Sequence, residues 1–257
     1  MKTYLINLDR ATDRASAMQM AFAAINLPFE RVSAIDAESL THADRRTYCD
    51  NDALSNGTVC CFLSHRRCWQ KLVESGEPFC AVFEDDAVFG KAAQAIFSSL
   101  DWLPASFDII KLETYMRDTV VEKRAFVEIQ GHSLRLLKAE HVGTGGYIIS
   151  RQCAQRLLTE SDKFSVPVDH FMFRAGKGPF ADLNVLQMFP AICIQQQFMS
   201  VEAPASMIAP SAKAKLLRAA KLKRELMRPF KKIAYRVRAA VMNRFSGQLW
   251  GKVPFGQ

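Results

Sequence analysis

The chain lacks most features that would place it in a metal-stapled, secreted or membrane-spanning class. Its seven cysteines, at 49, 60, 61, 68, 80, 153 and 193, contain no Cys-X-X-Cys pair and no zinc-type spacing. An odd number argues against a complete disulfide framework. Several of these thiols stand in apolar runs, where cysteine acts as a small hydrophobe, and the reading is a reducing compartment. No uninterrupted apolar stretch reaches the roughly 20 residues of a membrane-spanning helix. The opening run Met1-Lys2-Thr3-Tyr4-Leu5-Ile6-Asn7-Leu8-Asp9-Arg10 is too short in apolar residues for a secretion signal. There is no internal repeat and no low-complexity tract. Acid is nearly absent from residues 213–257, where Glu225 stands alone against 13 Lys and Arg, a charge of +12. Residues 1–212 hold the other 21 basic and 25 acidic residues, a charge of −4, so the overall +8 averages a mildly acidic body and a strongly basic C-terminal segment.

What is present suits an α/β protein. At 257 residues and 49% hydrophobic content, the chain can form one large domain plus an appendage. The most informative stretch is Phe79-Cys80-Ala81-Val82-Phe83-Glu84-Asp85-Asp86, a short apolar run that delivers three consecutive acids. It reads as a buried strand with carboxylates at its C-terminal edge, where open α/β sheets bind ligands. Clustered carboxylates repel, and a cation offsets the charge. Alternation along an extended chain would turn Glu84 and Asp86 to one side and Asp85 to the other. The bland alternative is a solvated acidic turn. Elsewhere, strands are expected at 3–8, 29–34, 108–112 and 147–149, a hairpin around Gly131, and helices from about Thr12, over 59–73 to Gly76, over 91–100 and over 152–158. Alternating strands and helices imply a mainly parallel sheet between helical layers.

Four local patterns follow one another in order. They are Tyr4-Leu5-Ile6-Asn7-Leu8-Asp9-Arg10 with Asp13-Arg14; Cys61-Phe62-Leu63-Ser64-His65 with Trp69; Phe83-Glu84-Asp85-Asp86-Ala87; and Thr144-Gly145-Gly146-Tyr147-Ile148-Ile149-Ser150-Arg151, followed by Val166-Pro167-Val168-Asp169. As an ordered set they resemble glycosyltransferase family 25, over about residues 1–200. The segment Gly57-Thr58-Val59-Cys60-Cys61 departs from the family's usual Gly-Glu and Gly-Cys pairs. The resemblance implies a GT-A-like nucleotide-binding fold, a nucleotide-sugar donor, usually UDP-galactose, and inversion at the anomeric carbon. The domain is expected over 1–205, with a basic amphipathic helical extension over 206–257.

The residue chemistry fits that implication. Asn7, Asp9 and Arg10 follow a strand, where base, ribose or diphosphate could be held, and Arg10 and Arg14 suit phosphate oxygens. Asp86 is the favoured ligand for Mn²⁺ or Mg²⁺, with Glu84 beside it and Asp85 as alternate or ribose contact. Ser64 and His65 lie on the second helix, and His65 reads equally as a substrate contact or a buried structural histidine. Trp69 belongs to the apolar face. Thr144, Gly145 and Gly146 would let a ligand approach the backbone, or simply precede a strand. Asp169 is the candidate base for the acceptor hydroxyl, with His170 in reserve and a helix cap as the alternative. The basic segment, apolar at Leu216, Leu217, Leu226, Phe230, Ile233 and Val237, suits an anionic membrane surface, with no specific nucleic acid expected. Together these readings describe a cytoplasmic enzyme, peripheral on the inner face of the inner membrane, extending a lipid-linked oligosaccharide. A nucleotidyltransferase and a non-catalytic membrane-docking module are the competing readings.

Overall fold

The computed structural model describes residues 1–199, 244 and 246–256. The N-terminal half supplies β1 (Lys2–Asn7), α1 (Thr12–Ala24), β2 (Glu30–Ser33), α2 (His42–Tyr48), α3 (Asn56–Ser75), β3 (Phe79–Glu84), β4 (Ala87–Phe89) and α4 (Ala93–Phe97). The second half adds β5 (Ile109–Lys111), β6 (Glu113–Thr114), β7 (Asp118–Ile129), β8 (His132–Leu137), β9 (Gly146–Ser150), α5 (Arg151–Glu160), α6 (Val168–Phe173), β10 (Val185–Phe189), β11 (Cys193–Gln195) and β12 (Gln248–Lys252). The architecture is α/β. A nine-stranded sheet runs β12-β7-β8-β10-β5-β9-β3-β1-β2, and a three-stranded sheet runs β4-β11-β6.

The parallel pairing expected of the sheet is found in β2-β1-β3 and β10-β5, while the other neighbours are antiparallel, so the large sheet is mixed. The parallel part carries the motifs. Ile6 lies opposite Glu84 and Asn7 opposite Ser33, so three strand ends emerge along one edge. Alternation along β1 and β3 divides the core. Tyr4, Ile6, Cys80 and Val82 face α3 residues Phe62, Trp69 and Leu72, while Leu5, Ala81 and Phe83 face Phe22, Ile96 and Ile148.

Helix α3 forms because its apolar residues recur at helical spacing and both ends are capped. Ser55 Oγ accepts the backbone N–H of Thr58 at 3.2 Å, and Gly76 closes the helix with φ 74° in the left-handed region. The small sheet matters for position more than for size. Register sets Cys193 beside Glu113, and Gln195 beside Ala87 directly after the acids.

The domain boundary at 205 is corrected at its far end. Five residues of β12 pair antiparallel with β7, from Gln248 opposite Glu122 to Lys252 opposite Asp118. Val253 is fully buried, and Gly256 donates its N–H to Ala191 at 2.9 Å. The physical reason is an otherwise open edge at β7, which β12 covers. Apart from Arg244, the helical reading of the basic segment lies outside the described residues.

Replacing Val253 by Ala removes fully buried apolar surface, and the expected loss is about 2 kcal/mol of unfolding free energy. Urea denaturation checks this, as a lower midpoint at unchanged slope. An unchanged midpoint would mean that the C-terminal strand does not close the body.

Candidate active site

Two clefts meet at the C-terminal edge of β1 and β3. One, of about 540 Å³, lies between that edge and the first turns of α3, and is lined by Asn7, Arg10, Arg14, Ile35, Cys61 and Asp85 among others. The other, of about 490 Å³, contains Met18, Asp86, Lys91 and Gln196, and shares Arg14 and Asp85 with the first. A roomier cleft of about 960 Å³ opens at Phe79 and Ser150. Phe79 is the opposite end of β3 from Glu84, on the order of 17 Å away at strand rise, so that cleft does not meet the acids.

The three acids have three different environments. Glu84, with a side chain 21% exposed, is turned inward. Its Oε1 accepts from Thr144 Oγ1 at 2.5 Å and lies 3.2 Å from His65 Nε2, and its Oε2 accepts from Gln195 Nε2 at 3.1 Å. Burial pushes its pKa up, but the bonds from His65 and Thr144 and the charge of Lys111 outweigh it and hold the carboxyl below its ordinary value. Asp85 accepts from Asn7 Nδ2 at 2.7 Å and pairs with Arg14 Nη1 at 2.8 Å, yet burial still raises its pKa. Asp86 has no such company. Its Oδ1 is buried without a hydrogen-bond partner among the described residues. Burial, then the charges of Glu84, Asp85 and Glu113, push its pKa to about 7. Strand β3 ends at Glu84, and Asp85 and Asp86 lie in the following turn. Strand alternation therefore stops at Glu84, and the expectation that Glu84 and Asp86 share a side while Asp85 turns away is corrected. Asp85 is the acid common to both clefts.

A fourth acid lies behind them. Glu113 is 1% exposed, and its Oε1 meets Lys111 Nζ at 2.7 Å. Lys111 also donates to the Gly143 carbonyl, and its ammonium lies 4.4 Å from the Phe173 ring centre. Burial raises Glu113 to about 7 despite Lys111. Sequence reasoning assigned Glu113 no role. The signal was available, since Ile109-Ile110-Lys111-Leu112-Glu113 puts two charges at alternate positions of an apolar strand.

Several site assignments change. Ser64 donates to the Cys60 carbonyl at 2.7 Å and accepts the Ile35 N–H at 2.9 Å, tying α3 to the chain after β2. His65 is fully buried, with Nδ1 2.9 Å from the Tyr147 hydroxyl and Nε2 facing Glu84, so neither nitrogen is left for substrate. Thr144 serves Glu84. The space beside Gly145 and Gly146 is filled from within: a Cβ would come within 2.6 Å of Glu113 Oε2 at Gly145, and within 2.5 Å of Cys193 Sγ at Gly146. These glycines admit protein atoms and lead into β9, which is the second of the two readings the sequence offered. Asp9 is held by Arg31 at 2.7 Å and Ser33 at 2.7 Å, which lower its pKa, and it does not line either cleft at the acids. Arg10 does line the larger of the two; it pairs with Asp36 and lies 3.3 Å from Glu38.

Asp169 stands in the first turn of α6, where its Oδ1 accepts the His170 N–H at 2.8 Å; Pro167 holds the cap position. Desolvation first, then the carboxylates of Glu84, Asp169 and Asp86, push the Cys61 thiol well up; Asp169 itself lines neither cleft at the acids. Cys61, His65 and Glu84 present ligand atoms within 4.8 Å of one another. Tyr147, Trp69 and Gln195 are the partners that sequence reasoning missed as site residues. A buried oxygen lacking a donor, flanked by carboxylates, fits a hard divalent cation.

The chain is similar to several known proteins. The sequence profile described as glycosyltransferase family 25 (LPS biosynthesis protein) matches residues 1–172. The lacto-N-neotetraose biosynthesis glycosyltransferase LgtB of Neisseria gonorrhoeae is 31% identical over 217 residues, covering 76% of this chain and 75% of that protein. The lipooligosaccharide biosynthesis protein lic2B of Haemophilus influenzae is 25% identical over 205 residues, covering 75% of each. Among solved structures, a glycosyltransferase involved in glycosylation of the major capsid of PBCV-1 aligns with a TM-score of 0.41 at 9% identity, covering 77% of this chain and 93% of that one.

The raised Asp86 gives a pH signature. The folded chain holds that proton up to about 7, against an ordinary 3.8. Stability from this group is therefore full below about pH 4 and is lost as pH rises through about 7. Thermal melts of metal-free protein should fall more steeply from about pH 5 to about pH 8 in the wild type than in Asp86→Asn. Parallel melting curves would show that Asp86 titrates like a solvated carboxyl.

Proposed function

The chain belongs to glycosyltransferase family 25, whose members are lipopolysaccharide-biosynthesis proteins, and from that premise we propose a metal-dependent, inverting transferase of GT-A-like design. It moves galactose from UDP-galactose to a lipid-linked oligosaccharide. The observation that carries this reading is the partnerless buried oxygen of Asp86, set between two clefts that share Arg14 and Asp85.

Asp86 would hold Mn²⁺ or Mg²⁺ directly, with Glu84 and Asp85 completing the negative field. Such an ion, when bound, neutralises charge that develops on a departing diphosphate, a contribution of several kcal/mol. The chain's own groups do the rest. Arg14 presents a guanidinium half exposed at the junction of the clefts, 2.8 Å from Asp85, and can donate to phosphate oxygens. Arg10 is oriented by Asp36 and Glu38 at the rim. Asn7 holds Asp85 in place. Asp169 takes the proton of the acceptor hydroxyl as that oxygen attacks the anomeric carbon from the face opposite the leaving group.

The basic segment supplies the proposed membrane contact. Each cation near an anionic leaflet contributes about 1 kcal/mol before screening. Among the described residues, no helix is long and apolar enough to cross a membrane. Attachment through charge suits an acceptor that is itself anchored in lipid.

Asp86→Ala should abolish sugar transfer with the fold preserved, and the product of the wild-type reaction should be UDP, not pyrophosphate. Transfer retained by Asp86→Ala at saturating manganese would remove this acid from the mechanism, and pyrophosphate release would identify a nucleotidyltransferase. A thermal-shift series with sugar nucleotides reads donor choice directly, because a ligand that binds only the folded state raises its melting point. UDP-galactose with manganese is expected to give the largest shift.

Because β12 belongs to the body, the membrane contact is tested by an internal deletion of residues 206–243. The shortened protein should keep the donor-induced shift but no longer sediment with anionic vesicles. Equal sedimentation of both forms would rule out the basic segment as the anchor.

A further inference from the structure

A directed chain of hydrogen bonds runs under the acids through buried residues. Trp69 Nε1 lies 2.9 Å from the Tyr147 hydroxyl, that hydroxyl 2.9 Å from His65 Nδ1, and His65 Nε2 3.2 Å from Glu84 Oε1. Trp69, Tyr147 and His65 are each fully buried. Helix α3 and strand β9 make the juxtaposition: His65 and Trp69 are four apart on one helical face, and Tyr147 lies opposite Val82, two residues before Glu84 on β3.

The polarity of the chain follows from donor chemistry. An indole N–H can only donate, so the Tyr147 oxygen accepts from Trp69. At the other end Glu84 acts as an acceptor on both oxygens, from the Thr144 hydroxyl and the Gln195 amide. That amide is oriented in turn by Gln197, whose Nε2 donates to Gln195 Oε1 at 3.1 Å. His65 therefore donates to Glu84 from Nε2, and its unprotonated Nδ1 accepts the one hydrogen of the Tyr147 hydroxyl. The other tautomer, like a doubly protonated ring, would leave the Tyr147 hydrogen without an acceptor among the described residues, and it would also set the Nε2 lone pair against Glu84 Oε1.

We infer that Tyr147, itself fixed by Trp69, is a positioning residue that holds His65 in the Nε2–H tautomer and so aims His65 at Glu84, the acid adjoining Asp86. The effect on catalysis rests on the proposed cation site; the tautomer does not. The inference also accounts for the cluster of Cys61, His65 and Glu84. A soft metal would need the Nε2 lone pair, which this chain keeps occupied by a proton.

The test begins with metal-free, full-length protein labelled with ¹⁵N-histidine, with His65 assigned by loss of its signals in His65→Gln. Two-bond ¹H–¹⁵N correlation should show a protonated Nε2 and an unprotonated Nδ1. A protonated Nδ1 in the wild type overturns the inference. In Tyr147→Phe the tautomers should mix, and the manganese concentration for half-maximal transfer should rise about tenfold, with kcat at saturating manganese changed less than about twofold. An unchanged tautomer and manganese constant in a folded Tyr147→Phe protein would reduce Tyr147 to packing.

If Tyr147→Phe does not fold, the wild-type spectrum still decides the tautomer, and His65 variants decide the consequence. His65→Gln keeps an amide donor for Glu84 and should stay within about threefold of the wild-type manganese constant, while His65→Ala loses tenfold or more. Equal losses in both would point to bulk and not to the donor. Titration with Co²⁺ should give no thiolate-to-metal charge-transfer band; a band lost in Cys61→Ser and lost as well in His65→Ala would mean that the ring nitrogen coordinates, against the inference. Transfer that survives Asp86→Ala would sink the cation reading while leaving the tautomer result standing.

Discussion

Mutual repulsion among carboxylates at the end of β3 is the constraint around which this site is built. Glu84, Asp85 and Asp86 arrive together because the chain is continuous, and Glu113 joins them because β6 lies beside β11 in the small sheet. Adjacent like charges in partly desolvated surroundings push one another toward protonation. The protein answers each acid differently. Glu84 receives donors from α3, from β11 and from the loop before β9, Asp85 receives Asn7 and the charge of Arg14, and Glu113 receives Lys111. Among the described residues, Asp86 receives no donor for its buried Oδ1. The uneven distribution of partners sets one carboxylate of the acidic cluster apart from the others.

The glycine pair before β9 belongs to the same solution. Close packing there brings the Glu113 carboxylate against the backbone of Gly143 and Gly145, where a Cβ would collide. Lys111 reaches the Gly143 carbonyl as well as Glu113. A buried charge pair of this kind is costly to desolvate and adds little net stability, but loss of one partner leaves a bare charge inside. The Thr144-Gly145-Gly146 motif thus shapes the acids from behind.

The sequence was readable where periodicity and local chemistry decide structure. The apolar run of β1, the stripe of α3 with its closing Gly76, the hairpin about Gly131 and the strand into the acids all follow from side-chain period and turn residues. The pairing of distant segments does not. Nothing local in Gln248–Lys252 says that it returns to cover β7, since that strand borders a long basic stretch and its partner lies more than a hundred residues earlier. Candidate residues were legible by type, but the choice between a ligand contact and a structural role, left open for His65, turns on partners that the sequence does not show. Ser64 and His65 suit substrate contacts in isolation, but their polar atoms are spent on Ile35, Cys60, Tyr147 and Glu84. Only a fold can disclose that Tyr147, apolar in its strand pattern, has its hydroxyl between an indole and an imidazole.

Burial and missing donors have one physical cause at Asp86, and that cause links proton and cation. An oxygen that finds no N–H must take a proton or a metal when it leaves water. Burial, and after it the neighbouring charges, holds the proton on Asp86 up to about 7; those charges would also attract the proposed divalent ion, so the two would compete for one atom. On that proposal, cation binding would release a proton, and its affinity would weaken as the solution becomes more acidic. Glu84 stands apart from that competition because its donors keep it ionised. A site with one proton-holding carboxylate and one held ionised keeps a negative field and a single exchangeable position, and the proposed reversible binding of a metal–diphosphate unit rests on that division.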